Sequence, residues 1–218
     1  KGTSSTPMKD LETDKQMTCD WGDTPPNDLK NFLDTVNHRS PERLLFHAHF
    51  TPDLQRRVIE HIGATDIESH YGFARRSVFT LQRPADAPPL DTRRYYDPDE
   101  LPEGTTFNAH GVAKVPSGFY HFYGYLSPLR NVTRREEIEA YPFDDMSQWD
   151  TGGLEEEVIK AHEQGRIAVG TLNCMFEHAW QIRGLEAFLM DLVVQPDWAD
   201  LLLERIAQQN AVKARVFA

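Results

Sequence analysis

Hydrophobic residues recur at helical spacing in several stretches of the chain, and start or stop signals flank each stretch. Leu54, Val58 and Ile62 are spaced four residues apart between Thr51-Pro52 and Gly63. This pattern predicts a helix with Thr51 as its cap, a proline at its first position and a glycine at its end. Comparable patterns predict a helix at about 27–36 with Asn27 as its cap, helices at about 133–140, 154–163 and 174–196, and a last helix capped by Asp197.

Short apolar runs alternate with these helices. Residues 43–50 predict a strand that leads directly into the helix after Thr51, and residues 167–170 predict a buried strand bounded by glycines. Residues 105–115 and 118–125 predict a hairpin, which lies in a proline-broken insertion at about 75–128 that we expect to form a subdomain or lid. Strands that alternate with helices predict an α/β fold with a mainly parallel sheet.

Composition narrows the class of protein. The chain has 218 residues, of which 39% are hydrophobic and 26% charged, which suits one globular domain at 25–218. Residues 1–24 are polar and predict a disordered leader or a cloning remnant.

The net charge of -11 argues against nucleic-acid binding. No apolar run reaches the ~20 residues of a membrane span. The distant Cys19 and Cys174 imply no disulfide framework, which favours the cytoplasm.

Two histidines are candidate catalytic residues at the end of the first predicted strand. Alternation along a strand places His47 and His49 on the same face. Two imidazoles so placed can bind a metal, hold a carboxylate or exchange protons. The alternative is that they are hydrogen-bonded residues without a catalytic role.

Two further groups are candidates for the substrate site. Polar and aromatic side chains on the predicted hairpin can line a pocket, although they also suit cross-strand packing: Asn108, His110, His121 and Tyr125. Asn173 and Glu177 follow the 167–170 strand, at the end where α/β folds bind ligands. Glu177 is a candidate catalytic carboxylate, or else a residue that stabilises the helix dipole, and Cys174 is expected to be a buried thiol.

Two segments resemble the uroporphyrinogen decarboxylase superfamily. Residues 37–46 are similar to the family's opening helix, "H..PDRVP" turn and first strand, and residues 170–191 with 196–198 are similar to its "strand, FE, LRG.E.FL.D, P" block. Residues 127–142 extend the likeness, which spans about 27–218. The resemblance implies a (β/α)8 TIM barrel, of which this chain would be the amino-terminal part.

The resemblance also implies one of two chemistries. True decarboxylases of the family carry Arg-Gln-Ala-Gly-Arg-Tyr after the first strand, where this chain reads His47-Ala-His-Phe-Thr-Pro52, so tetrapyrrole decarboxylation is disfavoured. The other branch consists of methyltransferases that work with a cobalamin-type corrinoid on a partner protein. Their zinc ligands, a His-x-Cys and a later Cys, would follow Ala218.

These observations lead us to expect a cytoplasmic corrinoid-linked methyltransferase or O-demethylase that acts on a small organic methyl donor. His47, His49 and Glu177 would be catalytic, and the chain would form a homo-oligomer or pair with a complementing chain. The alternatives are a decarboxylase of a tetrapyrrole or another carboxylated substrate, a metal-dependent barrel hydrolase that uses the two histidines, and a non-catalytic barrel module.

Overall fold

The computed structural model describes residues 27–88, 90–118 and 122–218, and these divide into two compact units. The first unit holds the described residues up to Ser77 together with 160–167, and the second holds 78–159 and 168–218. The leader predicted at residues 1–24 lies outside the described residues.

The elements form a mixed α/β structure, as the alternation of helices and strands predicts. β1 and β5 form a two-stranded parallel sheet, and β2, β3 and β4 form a three-stranded antiparallel sheet. The described part of the chain contains no closed barrel and no helix long and apolar enough to cross a membrane. The strands are β1 (Arg76–Phe79), β2 (Thr106–Phe107), β3 (Ala113–Pro116), β4 (Tyr123–Leu126) and β5 (Ile167–Gly170). The helices are α1 (Asp28–Val36), α2 (Pro52–Ile62), α3 (Ile67–Tyr71), α4 (Arg135–Glu139), α5 (Leu154–Glu163), α6 (Met175–Arg183), α7 (Leu185–Val194) and α8 (Pro196–Phe217).

Several predicted elements are confirmed because their signals are local. The side chain of Asn27 caps α1 by accepting a hydrogen bond from the backbone N–H of Lys30 at 2.9 Å. Gly63 ends α2 in the left-handed conformation at φ 67°. The bounds of α5 and β5 match the predicted ranges of 154–163 and 167–170.

The strand predicted at residues 43–50 is wrong, since this segment has no regular secondary structure. It still runs alongside residues 72–76. Arg43 Nη1 donates to the carbonyl of Gly72 at 2.7 Å, and the N–H of Ala74 donates to the carbonyl of Phe46 at 2.8 Å. A strand needs a continuous ladder of backbone hydrogen bonds, whereas this segment is held largely through the side chain of Arg43. The sequence did not predict β1, whose four residues lie at the start of the range of about 75–128 that was interpreted as an insertion.

The long helix predicted at 174–196 is two helices in the structure. Gly184 separates α6 from α7 at φ 93° and ψ 134°, a conformation that favours glycine. A buried ion pair crosses the break, in which Arg183 Nε donates to Asp191 Oδ2 at 2.6 Å. Arg183 Nη1 also donates to the carbonyl of Leu129 at 2.5 Å. The next helix starts with Pro196 and not with a cap at Asp197, since Gln195 is its N-cap.

The second unit has an apolar core built from α6, α7, α8, α4 and the segments around them. Five apolar residues of α6, α7 and α8 are buried there: Ala179, Ile182, Phe188, Leu202 and Ile206. Met175, Leu189 and Leu192, whose spacing along 174–196 would place them on the same apolar side of one continuous helix, are exposed. Val112, just before β3, is fully buried in the same core and anchors the hairpin segment in it.

A buried carboxylate organises the first unit. Asp28 is fully buried at the start of α1, and both of its oxygens accept hydrogen bonds. Oδ1 accepts from the guanidinium of Arg43, and Oδ2 accepts from the N–H and Nε of Arg75 at 3.0 and 3.1 Å. A buried charge without these partners would be strongly unfavourable, so the two arginines and Asp28 hold each other in place.

We therefore expect Asp28→Asn to destabilise the protein by about 3–5 kcal/mol, because two arginines lose a buried counter-charge. Urea unfolding followed by circular dichroism measures the change. Asp53→Asn is the matched control, since Asp53 pairs with Arg56 at an exposed site on α2 and should cost less than about 1 kcal/mol. Equal losses for the two variants would contradict the role given to Asp28.

Candidate functional site

The loop after β5 holds a lysine from α8 at the carboxyl end of this strand. The N–H of Asn173 donates to Asn210 Oδ1 at 2.8 Å, and Asn210 Nδ2 donates to the carbonyl of Asn173 at 3.0 Å. With its backbone fixed in this way, Asn173 presents Oδ1 to Lys213 Nζ at 3.0 Å. A cation is thus positioned where the predicted strand end was expected to bind a ligand.

Two imidazoles lie in contact near this lysine. His110 is 7% exposed, and its ring centroid is 4.5 Å from that of His178 and 6.2 Å from that of Phe143. Asn108 shapes the loop that carries His110, since its Oδ1 accepts from the N–H groups of His110 and Val112, both at 3.0 Å. We call His110, His178, Asn173 and Lys213 the second-unit cluster.

Burial sets the charge of this cluster. It lowers the pKa of His110 to about 4, and the neighbouring His178 and Lys213 act in the same direction. Burial also lowers the pKa of His178, against the opposing effect of Glu177, and lowers the pKa of Lys213. The two imidazoles are therefore neutral at pH 7. The Nδ1 atom of His178 is buried and has no hydrogen-bond partner among the described residues, which is uncommon for a buried polar atom.

Glu177 is linked to the same loop through an amide. It lies in the first turn of α6, where it is exposed and accepts a hydrogen bond from Gln181 Nε2 at 3.0 Å. Gln181 is buried, and its Oε1 accepts from Asn108 Nδ2 at 3.4 Å. The structure thus connects Glu177 to Asn108, and through that loop to His110.

Three other residues singled out from the sequence, Tyr125, His121 and Cys174, are not part of the second-unit cluster. Tyr125, on β4, is 39% exposed and packs edge-to-face on Trp180 of α6 with ring centroids 5.6 Å apart, so its aromatic partner lies on a helix and not across the hairpin. His121 lies outside the described residues. Cys174 is exposed at the start of α6, so the prediction of a buried thiol is wrong.

His47 and His49 belong to the first unit and do contact each other. Their ring centroids are 4.6 Å apart and the rings are nearly perpendicular, at 79°. They lie in the irregular 43–50 segment and not on a strand, so strand alternation is not what brings them together. Within the described ranges, no three His, Cys, Asp or Glu side chains are grouped closely enough to hold a metal ion.

Sequence reasoning missed His178, Gln181 and Lys213. His178 had a signal, because it is four residues before the buried Ile182 and so on the inward face of α6. Lys213 had none, since it lies 40 residues from Asn173 along the chain.

We expect acid to destabilise the protein through His110. Between its ordinary pKa of 6.5 and the folded value of about 4, the unfolded chain binds a proton that the folded protein does not. Stability therefore falls as the pH drops through this window, by up to roughly 3 kcal/mol from this group.

In urea unfolding between pH 7 and 4, His110→Gln should lose less stability than the unmodified protein. His61→Gln, at an exposed position on α2, is the control and should keep the original slope. An unchanged pH dependence in His110→Gln would show that this histidine is not the sensitive group.

Comparison with known proteins adds no relative to this description. The chain matches no family model, no curated protein and no solved structure.

Proposed function

We propose that this chain belongs to a cytoplasmic enzyme of the uroporphyrinogen decarboxylase type that removes a methyl group from a small organic donor. The corrinoid, carried by a partner protein, would accept the methyl group. In this proposal the fold is the amino-terminal part of a (β/α)8 barrel, with β1 and β5 as two of its parallel strands.

The observation that carries the proposal is the second-unit cluster. It combines two neutral imidazoles, one with a free buried nitrogen, and a lysine held at the carboxyl end of β5. Asn173 and His178 also lie within residues 170–191, the segment that resembles the family most closely. Ligands of α/β folds bind at this end of the strands.

The cluster suits the removal of a methyl group because the heteroatom that loses the methyl needs a proton. Lys213 is the proton donor in this scheme, since burial lowers its pKa and makes its ammonium a better acid. His178 and His110 hydrogen-bond the heteroatom and its neighbours without adding charge, and Phe143 gives an apolar wall. Among the described residues, no three His, Cys, Asp or Glu side chains are grouped closely enough to hold zinc.

Decarboxylation is the second candidate, and Lys213 favours it specifically. A cation beside neutral imidazoles can hold the carboxylate of a substrate. After carbon dioxide leaves, the same ammonium can give a proton to the carbon atom that carried the carboxylate. A metal-dependent hydrolase at His47 and His49 has less support, since no third ligand joins them among the described residues.

The test compares the two reactions in one panel. The protein is incubated with methoxylated benzoates and methylamines in the presence of cob(I)alamin, and methyl transfer is followed by absorbance. Parallel samples with carboxylated substrates are assayed for release of carbon dioxide. We expect methyl transfer, and we expect Lys213→Gln to lower its rate by about 10²-fold because the proton donor is lost.

Lys160→Gln is the matched control, because Lys160 is exposed on α5, and its rate should be unchanged. Binding is measured separately through the imidazole NMR signals of His110 and His178 in the presence of a methoxylated benzoate. Carbon dioxide release without methyl transfer would replace the first candidate with the second. If neither reaction occurs and no imidazole signal shifts, a non-catalytic module is the better description.

A further inference from the structure

The first unit contains a second group of basic side chains, outside the cluster described above. The 43–50 segment runs in the same direction as residues 72–76, as the Arg43–Gly72 and Phe46–Ala74 hydrogen bonds show. This alignment brings His47 beside Arg76, and His49 contacts His47 with ring centroids 4.6 Å apart. We call His47, His49 and Arg76 the first-unit cluster.

Two buried polar atoms of this cluster lack a partner. Within the part of the chain that the structure describes, neither His47 Nδ1 nor Arg76 Nε makes a hydrogen bond. Such atoms are rare in proteins because an unsatisfied buried polar group is unfavourable. An arginine Nε is always a donor, so the group that it lacks is an acceptor.

The surrounding charges also favour an anion. Burial is the largest cause of the lowered pKa of His47, and the charges of Arg76 and His49 lower it further. Glu68 acts in the opposite direction and raises this pKa. Arg166 adds a second cation, since its Nη2 donates to the carbonyl of Arg76 at 2.7 Å. Two guanidinium groups therefore lie close to the imidazoles, with the carboxyl group of Glu68 near His47 and that of Asp66 near Arg166.

The cluster has an apolar side and an accessible side. Phe73 is buried, and its ring centroid is 5.9 Å from that of His47. His49 is exposed and Arg76 is partly exposed, so this side of the cluster faces solvent, while His47 Nδ1 and Arg76 Nε lie beneath it. Charged donors beside an apolar wall are suited to an organic molecule that carries one anionic group.

We propose that His47, His49 and Arg76 bind an oxyanion, either a carboxylate or a phosphate group of a small molecule. Arg76 supplies the fixed positive charge and the Nε donor, and the two imidazoles supply further N–H donors. The proposal concerns the first unit alone and does not depend on the proposed enzymatic activity.

Sodium acetate and inorganic phosphate, each added to the full chain, test this site. Titrations are followed through the imidazole NMR signals of His47 and His49 and by calorimetry, with sodium chloride as the reference salt. We expect saturable shifts of the imidazole signals with at least one of the two oxyanions. The anion that binds more tightly shows whether the site prefers a carboxylate or a phosphate group. Affinity for the anion should increase as the pH falls, because a protonated His47 binds an anion more tightly. The titratable and charged groups that act on His47 are Arg76, His49 and Glu68.

Arg76→Gln should weaken binding at least about tenfold, because a charged hydrogen bond is lost. His49→Gln, at an exposed position, tests the site without disturbing a buried residue and should weaken binding as well. Arg57→Gln is the matched control, since Arg57 is an exposed arginine of α2 in the same unit, and should bind like the unmodified protein. The proposal is overturned if acetate and phosphate shift the signals no more than chloride does, or if His49→Gln and Arg76→Gln bind unchanged.

Discussion

The first unit depends on the buried carboxylate of Asp28. This one side chain joins α1, the 43–50 segment and the start of β1, because it accepts hydrogen bonds from Arg43 and Arg75. A fully buried charge is tolerated only when such partners surround it. The position of His47 beside Arg76 follows from this arrangement, since Arg43 fixes the segment that carries the histidines.

The second unit follows the same principle at another place. The Arg183–Asp191 pair is buried at the Gly184 break, and it sets where α6 ends and α7 begins. The next helix, α8, packs on both of these helices and carries Lys213 to the loop after β5. In both units, therefore, buried polar contacts position the histidine, lysine and arginine side chains of the candidate sites, while most of the core is formed by apolar packing.

Much of the secondary structure could be predicted from the sequence, and so could part of the candidate site. The cap at Asn27, the glycine after α2 and the strand at 167–170 depend on residues a few positions apart. Asn108, His110, Asn173 and Glu177 were chosen from local patterns, and the structure places all four in connected parts of the second unit. β1 was missed because four residues with two apolar side chains give no periodic signal.

The sequence by itself determined the α/β class, most helix ends and the residue types available for chemistry. Those features are local, because caps, glycine turns and hydrophobic periodicity act within one or two turns of a helix. Only the tertiary structure decided which of these residues meet. Asp28 finds Arg75 47 residues away, and Asn173 finds Lys213 40 residues away, through contacts that no local pattern encodes. Such pairs form because burial leaves a charged or polar group no water to bind, so it must find its partner within the fold.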